Sequence, residues 1–191
     1  FDLAFEIASS RAYLDFDLRR KQLLLDAQQP ATVAVFCDTA SLMYAHARTH
    51  RNFRWLLNLL FEHNLGFEVI YAHQLAELSR FRCVTLPYCV SLTDELAAKF
   101  EHFVSEGGGI VMLENVGERD RWRRARSQPA LAALLSKDYP HSFQRKVGKG
   151  RVAFVSENVA SVGSRNRLHS VTTFLTTEVI NAIHFAANEN C

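Results

Sequence analysis

The residues able to do chemistry gather where apolar runs end. Asp38, Thr39 and Ser41 close or follow "TVAVFCD", and Tyr88, Cys89 and Ser91 close or follow "CVTLPY". Glu114 and Asn115 close "IVMLEN", while Glu157 and Asn158 close the run that begins at Arg151. Carboxylates beside hydroxyls and a thiol serve acid–base, nucleophilic or ligand-holding roles when one fold brings them together. Cys89 is the best-placed thiol, and Glu114 with Glu157 is the best-placed carboxyl pair. Each has a plainer reading. Cys89 lacks an identifiable imidazole partner and reads as a half-buried cysteine. The two glutamates read as solvated or helix-capping acids.

Two further groups stand apart. His46 and His50 in "HARTH" have the i,i+4 spacing that holds zinc on a helix. The HExxH glutamate and a third ligand are missing, so two surface histidines are expected and no metal. The loop "ERDRWRRARS" carries five arginines and two acids around Trp122. Arginine grips phosphates and carboxylates, and tryptophan stacks on flat faces, so an anion or a carbohydrate fits this composition. Arginine and tryptophan are also enriched at protein interfaces, and that reading is preferred, with Trp122, Arg123, Arg124 and Arg126 as the contacts.

The elements that must position these residues follow from periodicity. "SRAYLDFDLRRKQLLLDA" reads as a helix over 10–27, with Asp15–Arg19 and Asp17–Lys21 in the favourable acid-first order and Pro30 beyond it. "RNFRWLLNLLFEHN" puts Phe53, Leu56, Leu57, Leu60 and Phe61 on one helical face. Thr93 is the expected N-cap of a helix whose stripe is Leu96, Phe100, Phe103 and Val104, and Gly107, Gly108 and Gly109 turn it into the next strand. "PALAALLS" reads as a short helix, and "HSFQRKVGKGRVAFVSE" as a hairpin. The closing helix aligns Val171, Leu175, Val179, Ala182, Ile183 and Ala186. Strands that are continuously apolar and alternate with helices call for a parallel sheet covered on both faces. The expected fold is therefore α/β: three layers, doubly wound, mainly parallel, with an appended hairpin and a leading helix. Ligands of such sheets bind beyond the carboxyl ends of the strands, near a topological switch point. Asp38, Ser41, Tyr88, Cys89, Glu114, Asn115, Glu157 and Asn158 are accordingly the ligand-binding candidates.

Bulk properties narrow the partners. The 191 residues are 48% hydrophobic and 22% charged with a net charge of +2, which suits one domain and gives no general attraction for nucleic acid. No apolar run reaches the length of a membrane span. Neither a GxGxxG nor a GxxxxGKS loop is present, so no nucleotide cofactor is expected, and no other. The four cysteines, Cys37, Cys83, Cys89 and Cys191, show no CxxC spacing and read as reduced thiols, hence a cytoplasmic expectation. The chain opens on Phe1 rather than Met, which suggests a piece of something longer.

The stretch "CVTLPYCVSLTDELAAKFEHFVSEGGGIVMLEN" resembles the core of class I glutamine amidotransferase-like domains: a strand ending in Pro, a helix announced by "LTDE", and a "GGG" turn into the next strand. Within that superfamily the chain is most similar to the β-galactosidase trimerisation domain of glycoside hydrolases, through "RARSQPALAALL", "GKGRVAFVSE" and "EVINAIHFAANEN", over roughly residues 31–188. The resemblance implies a domain of residues 31–191 preceded by a connection, 1–30, from a catalytic barrel. Active amidotransferases place a cysteine after the fourth strand, a histidine after the last, and glycines in the oxyanion loop. Here those places hold Glu114–Asn115, Glu157–Asn158–Val159 and Pro87–Tyr88–Cys89. The expectation is a non-catalytic interaction or oligomerisation domain of a carbohydrate-processing protein, with self-association or docking to a neighbouring catalytic domain. Residues Phe1 to Arg20 would reach that neighbour. The alternatives are a hydrolase using the rim carboxylates or Cys89, and a small-molecule sensor using the same rim.

Overall fold

A computed structural model describes residues 31–156 and 169–188, with side chains from 177 in the latter stretch, and six residues between Arg11 and Arg19. The chain divides into two compact units, residues 1–30 and 31–191. The described residues of the first are helical, and Arg19 Nη2 meets Asp15 Oδ2 at 2.6 Å, the expected i,i+4 pair. The companion Asp17–Lys21 pair and most of Phe1 to Arg20 lie outside the described residues.

The second unit is built on a sheet of β1 (Val33–Phe36), β2 (Phe67–Ile70), β3 (Cys83–Pro87), β4 (Gly109–Leu113), β5 (Phe143–Val147) and β6 (Gly150–Val155). Its order is β2-β1-β3-β4-β6-β5. All pairs are parallel except β5–β6, the expected hairpin. Four α-helices accompany it among the described residues: α1 (Thr39–Tyr44), α2 (His46–Glu62), α3 (Asp94–Ser105) and α4 (His169–Ala187).

Alternation along each strand sends side chains to opposite faces. Ala34, Phe36, Val84, Leu86, Ile110, Met112, Val152 and Phe154 form one apolar layer with Phe100 and Val104 of α3. Phe36 and Phe100 meet edge to face at 5.2 Å between ring centroids. Val33, Val35, Val111, Leu113, Ala153 and Val155 form the other layer, with Leu56, Leu59 and Leu60 of α2 and Val179, Ala182, Ile183 and Ala186 of α4. The α/β reading thus holds: a mixed, mostly parallel sheet with apolar layers on both faces.

Local details follow the sequence at α3, where Thr93 Oγ1 accepts from Leu96 N at 3.2 Å. Gly107, at φ 110°, ends that helix. Gly109 is required for another reason: a Cβ there would stand 2.1 Å from Ala186 O, so the start of β4 fits flush against α4. Three elements differ from expectation. The helical region before β2 starts at Thr39 and is broken near Ala45, whose backbone leaves helical geometry at φ −130°. A 3-10 stretch, Ala72–Arg80, joins β2 to β3. "PALAALLS" forms only a 3-10 turn at Ala132–Leu134, too short to expose a helical face of its own.

Candidate functional site

The strand order reverses between β1 and β3, so the carboxyl ends of β1, β3 and β4 form the place where such sheets bind ligands. Asp38 follows β1 and caps α1: its carboxylate accepts from Ala40 N at 3.2 Å and from Ser41 N at 3.1 Å. The Ser41 hydroxyl donates to Asp38 Oδ2 through a short hydrogen bond. Ser41 Oγ in turn accepts from Ser91 N, across from the β3 exit, at 3.0 Å. Asp38, Ser41 and Ser91 are all buried. Burial pushes the Asp38 carboxyl above its ordinary value, and the bonds from Ser41 and Ala40 offset only part of that.

After β3 and β4 stand two non-glycine residues in the left-handed region, Tyr88 at φ 58° and Glu114 at φ 59°. Such backbone persists only where surrounding structure holds it, and it clusters at functional sites. Here the holding is visible. Tyr88 N donates to Leu113 O at 3.2 Å and Glu114 N to Val155 O at 2.9 Å. The Glu114 side chain is 0% exposed and takes an ion pair from Arg48 Nε of α2 at 2.9 Å. The Arg48 guanidinium carbon lies 4.7 Å from the Tyr88 ring centroid. The amides of Tyr88, Ser91 and Glu114 are therefore engaged within the protein, where an oxyanion would need donors.

Cys89 is 1% exposed and packs in the apolar layer shared with α3, so the half-buried expectation becomes full burial. Burial pushes its thiol well above the usual range, and Asp38 and Cys37 add to this. A thiol so placed is not a nucleophile. Cys37, Cys83 and Cys89 are free thiols, and Cys191 lies outside the described residues. Asn115 is half-buried and donates to Glu118 Oε2 at 2.8 Å. Glu118 Oε1 accepts from the Tyr139 hydroxyl at 2.9 Å. Glu157 and Asn158 lie outside the described residues, and so does the carboxyl pair Glu114–Glu157. His46 and His50 are exposed and their rings stack at 5.4 Å. Among the described residues no group of three or more His, Cys, Asp or Glu side chains is placed to hold a metal. Arg48 had no signal of its own in the sequence; it is found only by asking which cation meets a buried carboxylate 66 residues away.

The arginine-rich loop lies beside this rim. Gly117 N donates to Cys89 O at 2.8 Å and Arg119 N to Val90 O at 2.9 Å, tying the loop to the β3 exit. Asp120 is the hub: Oδ1 accepts from Trp122 N and Arg124 N, both at 2.9 Å, and Oδ2 pairs with Arg124 Nε at 2.8 Å. Desolvation pushes the Asp120 carboxyl up, but the bonds from Arg124 and Trp122 and the Arg124 charge together outweigh it and hold the carboxyl below the usual range. Arg126 is largely withdrawn from the surface: it pairs with Asp94 Oδ1 at 2.6 Å and donates to Leu92 O at 2.9 Å. Of the four expected contact residues, Arg126 thus ties the loop to α3, while Trp122, Arg123 and Arg124 stay exposed. Arg123 lies over the Tyr44 ring at 5.7 Å, next to Met43, which is 77% exposed. Met43 and Tyr44 were not expected from sequence; their position on a short helix gave no amphipathic stripe to read.

No family model matches the chain. No curated protein matches it either. Solved structures do. Gan42B, a GH42 β-galactosidase from G. stearothermophilus, aligns with TM-score 0.64 and 15% identity over 78% of this chain and 31% of its own. A β-galactosidase from Bacillus circulans sp. alkalophilus aligns with TM-score 0.64 and 16% identity over 84% of this chain and 32% of its own. The exo-β-1,4-mannosidase Op5Man5 from Opitutaceae bacterium strain TAV5 aligns with TM-score 0.64 and 13% identity over 90% of this chain and 38% of its own. The chain is similar to these in fold and spans about a third of their length.

Proposed function

We propose that this chain is a non-catalytic, amidotransferase-like α/β domain of a carbohydrate-processing protein, and that it works by association. The strand order supports a flavodoxin-like arrangement. One observation carries the functional reading: the backbone elbow after β4 retains its left-handed geometry, yet holds Glu114, buried against Arg48, in place of an exposed nucleophile. The scaffold of an elbow without a reactive group suits a domain kept for its surfaces. The fold likeness to parts of two β-galactosidases and a mannosidase supports the carbohydrate setting.

The contact surface in this reading centres on Met43, Tyr44 and Arg123, an exposed apolar pair beside a cation, with Trp122 and Arg124 at its border. Copies of the chain associate through it, or it meets a neighbouring catalytic domain. The alternative, a hydrolase or small-molecule site at the rim, is disfavoured by the burial of Asp38, Ser41, Cys89 and Glu114.

Two measurements test the proposal. Light scattering over a dilution series is expected to show reversible association that Met43→Asp with Tyr44→Ala weakens at least tenfold. A monomer at all concentrations shifts the surface to the neighbouring domain, and an unaffected double variant removes it. Glutaminase and glycosidase assays of the chain are expected to show no turnover; turnover lost in Glu114→Gln would overturn the non-catalytic reading.

A further inference from the structure

Between the start of α3 and residues 120–126 lies a concave site of about 250 Å³. Its lining brings three carboxylates, Asp94, Glu95 and Asp120, together with three guanidinium groups, Arg121, Arg124 and Arg126. Beside them stands Trp122, 63% exposed, with Arg121 4.9 Å from its ring centroid. An exposed indole beside clustered hydrogen-bonding groups offers a flat apolar face next to donors and acceptors.

We propose that this hollow binds one neutral, polyhydroxylated ring, a pyranoside, stacked on Trp122. The charge balance decides the ligand class. A phosphate or carboxylate would meet three acids, and a metal cation three guanidinium groups, so neither is favoured. A sugar presents hydroxyls that both donate and accept, and an apolar C–H face for the indole. The acceptors are at hand. Asp94 Oδ1 is taken by Arg126, but Oδ2 and the Glu95 carboxylate make no hydrogen bond to the described residues. Arg124 commits Nε to Asp120, leaving its terminal nitrogens to donate. The walls are set in advance: Asp120 fixes the backbone at Trp122 and Arg124, and the Arg126–Asp94 pair locks the loop to α3. Preorganisation of this kind reduces what binding must spend on ordering. One stacked ring with a few charge-assisted bonds gives a dissociation constant in the millimolar range.

This inference goes beyond the association proposed above; the two share Trp122 and Arg124 at their border, but Met43 and Tyr44, the centre of the contact surface, do not line the hollow. The test is saturation-transfer NMR on the full chain with methyl β-D-galactopyranoside and methyl β-D-glucopyranoside at tens of millimolar. Transfer to the ring C–H protons is expected, reduced at least tenfold in Trp122→Ala and in Asp94→Asn with Glu95→Gln, and largely kept in Trp122→Phe. Circular dichroism of each variant establishes that it is folded. The proposal is overturned if neither pyranoside receives transfer, if Trp122→Ala binds as the parent does, or if inorganic phosphate or calcium displaces the sugar by occupying the hollow itself. Binding in Met43→Asp/Tyr44→Ala is expected to equal the parent, which keeps the two proposals separable.

Discussion

Glu114 holds a backbone conformation that glycine adopts at no steric cost and that other L-residues adopt against resistance. Its ion pair with Arg48 is what it gives in return. Glu114→Ala loses the pair and keeps the strain, whereas Glu114→Gly loses the pair and relieves it. Both variants are expected to fall below the parent in urea denaturation, with glycine the more stable by about 1 kcal/mol; an alanine variant equal to the glycine one would refute the strain argument. Asp38 makes a pH prediction. Its carboxyl is raised in the folded state, so between an ordinary value near ~4 and the folded value the folded chain binds the extra proton. Stability from this group is therefore full at low pH and declines as pH rises through that window. Asn at 38 keeps one of the two capping oxygens and removes the charge, a loss of bonding that does not vary with pH. Asp38→Asn is expected to gain on the parent as pH goes from about 4 to 7, read as the difference in denaturation midpoints; a difference that stays constant with pH would rule the burial cost out.

Elements meet most closely where side chains are absent. Gly109→Ala must push α4 off the sheet, because the new methyl meets the backbone of Ala186 rather than a yielding side chain. A loss of about 1–3 kcal/mol is expected. Gly148, in the β5–β6 turn at φ 58°, has open space around it, so Gly148→Asn meets only the left-handed backbone, which asparagine tolerates better than most residues, and is expected to cost less than about 1 kcal/mol. Equal costs at the two sites would contradict the packing described for α4. At this scale the sequence was informative wherever the signal was local. β3, β4 and β6 are apolar runs bounded by turn residues, and α3 carries its cap, its acidic first turn and its stripe within a dozen residues. The 3-10 stretch Ala72–Arg80 and the early start of α1 carry no such pattern. Asp38 at the end of β1 reads as a rim acid, and its use as a cap depends on the turn taken by the next three residues. The candidate site was legible as a place, because strand ends are fixed by topology, but not as a chemistry. What Glu114 meets depends on Arg48, 66 residues away in sequence.

Among the described residues of the second unit, the two apolar layers share one sheet and are expected to melt together. Phe100→Ala on one face and Leu56→Ala on the other are each expected to cost about 3 kcal/mol. Both should shift a single transition, seen alike by circular dichroism and by the fluorescence of Trp55, which packs in the α2 layer. Two separated transitions would mean that the layers are independent. The hairpin strand β5 finishes one border of the sheet, and along "FQRKV" its half-buried and exposed residues alternate, with Gln144 and Lys146 turned outward. Arg145 reaches back to Ala133 O at 3.0 Å. A border dressed in this way resists being lengthened by a strand from another chain. At β5, then, an incoming strand would meet outward-turned polar side chains before it met free backbone, and this end of the sheet is closed to growth by its own dressing.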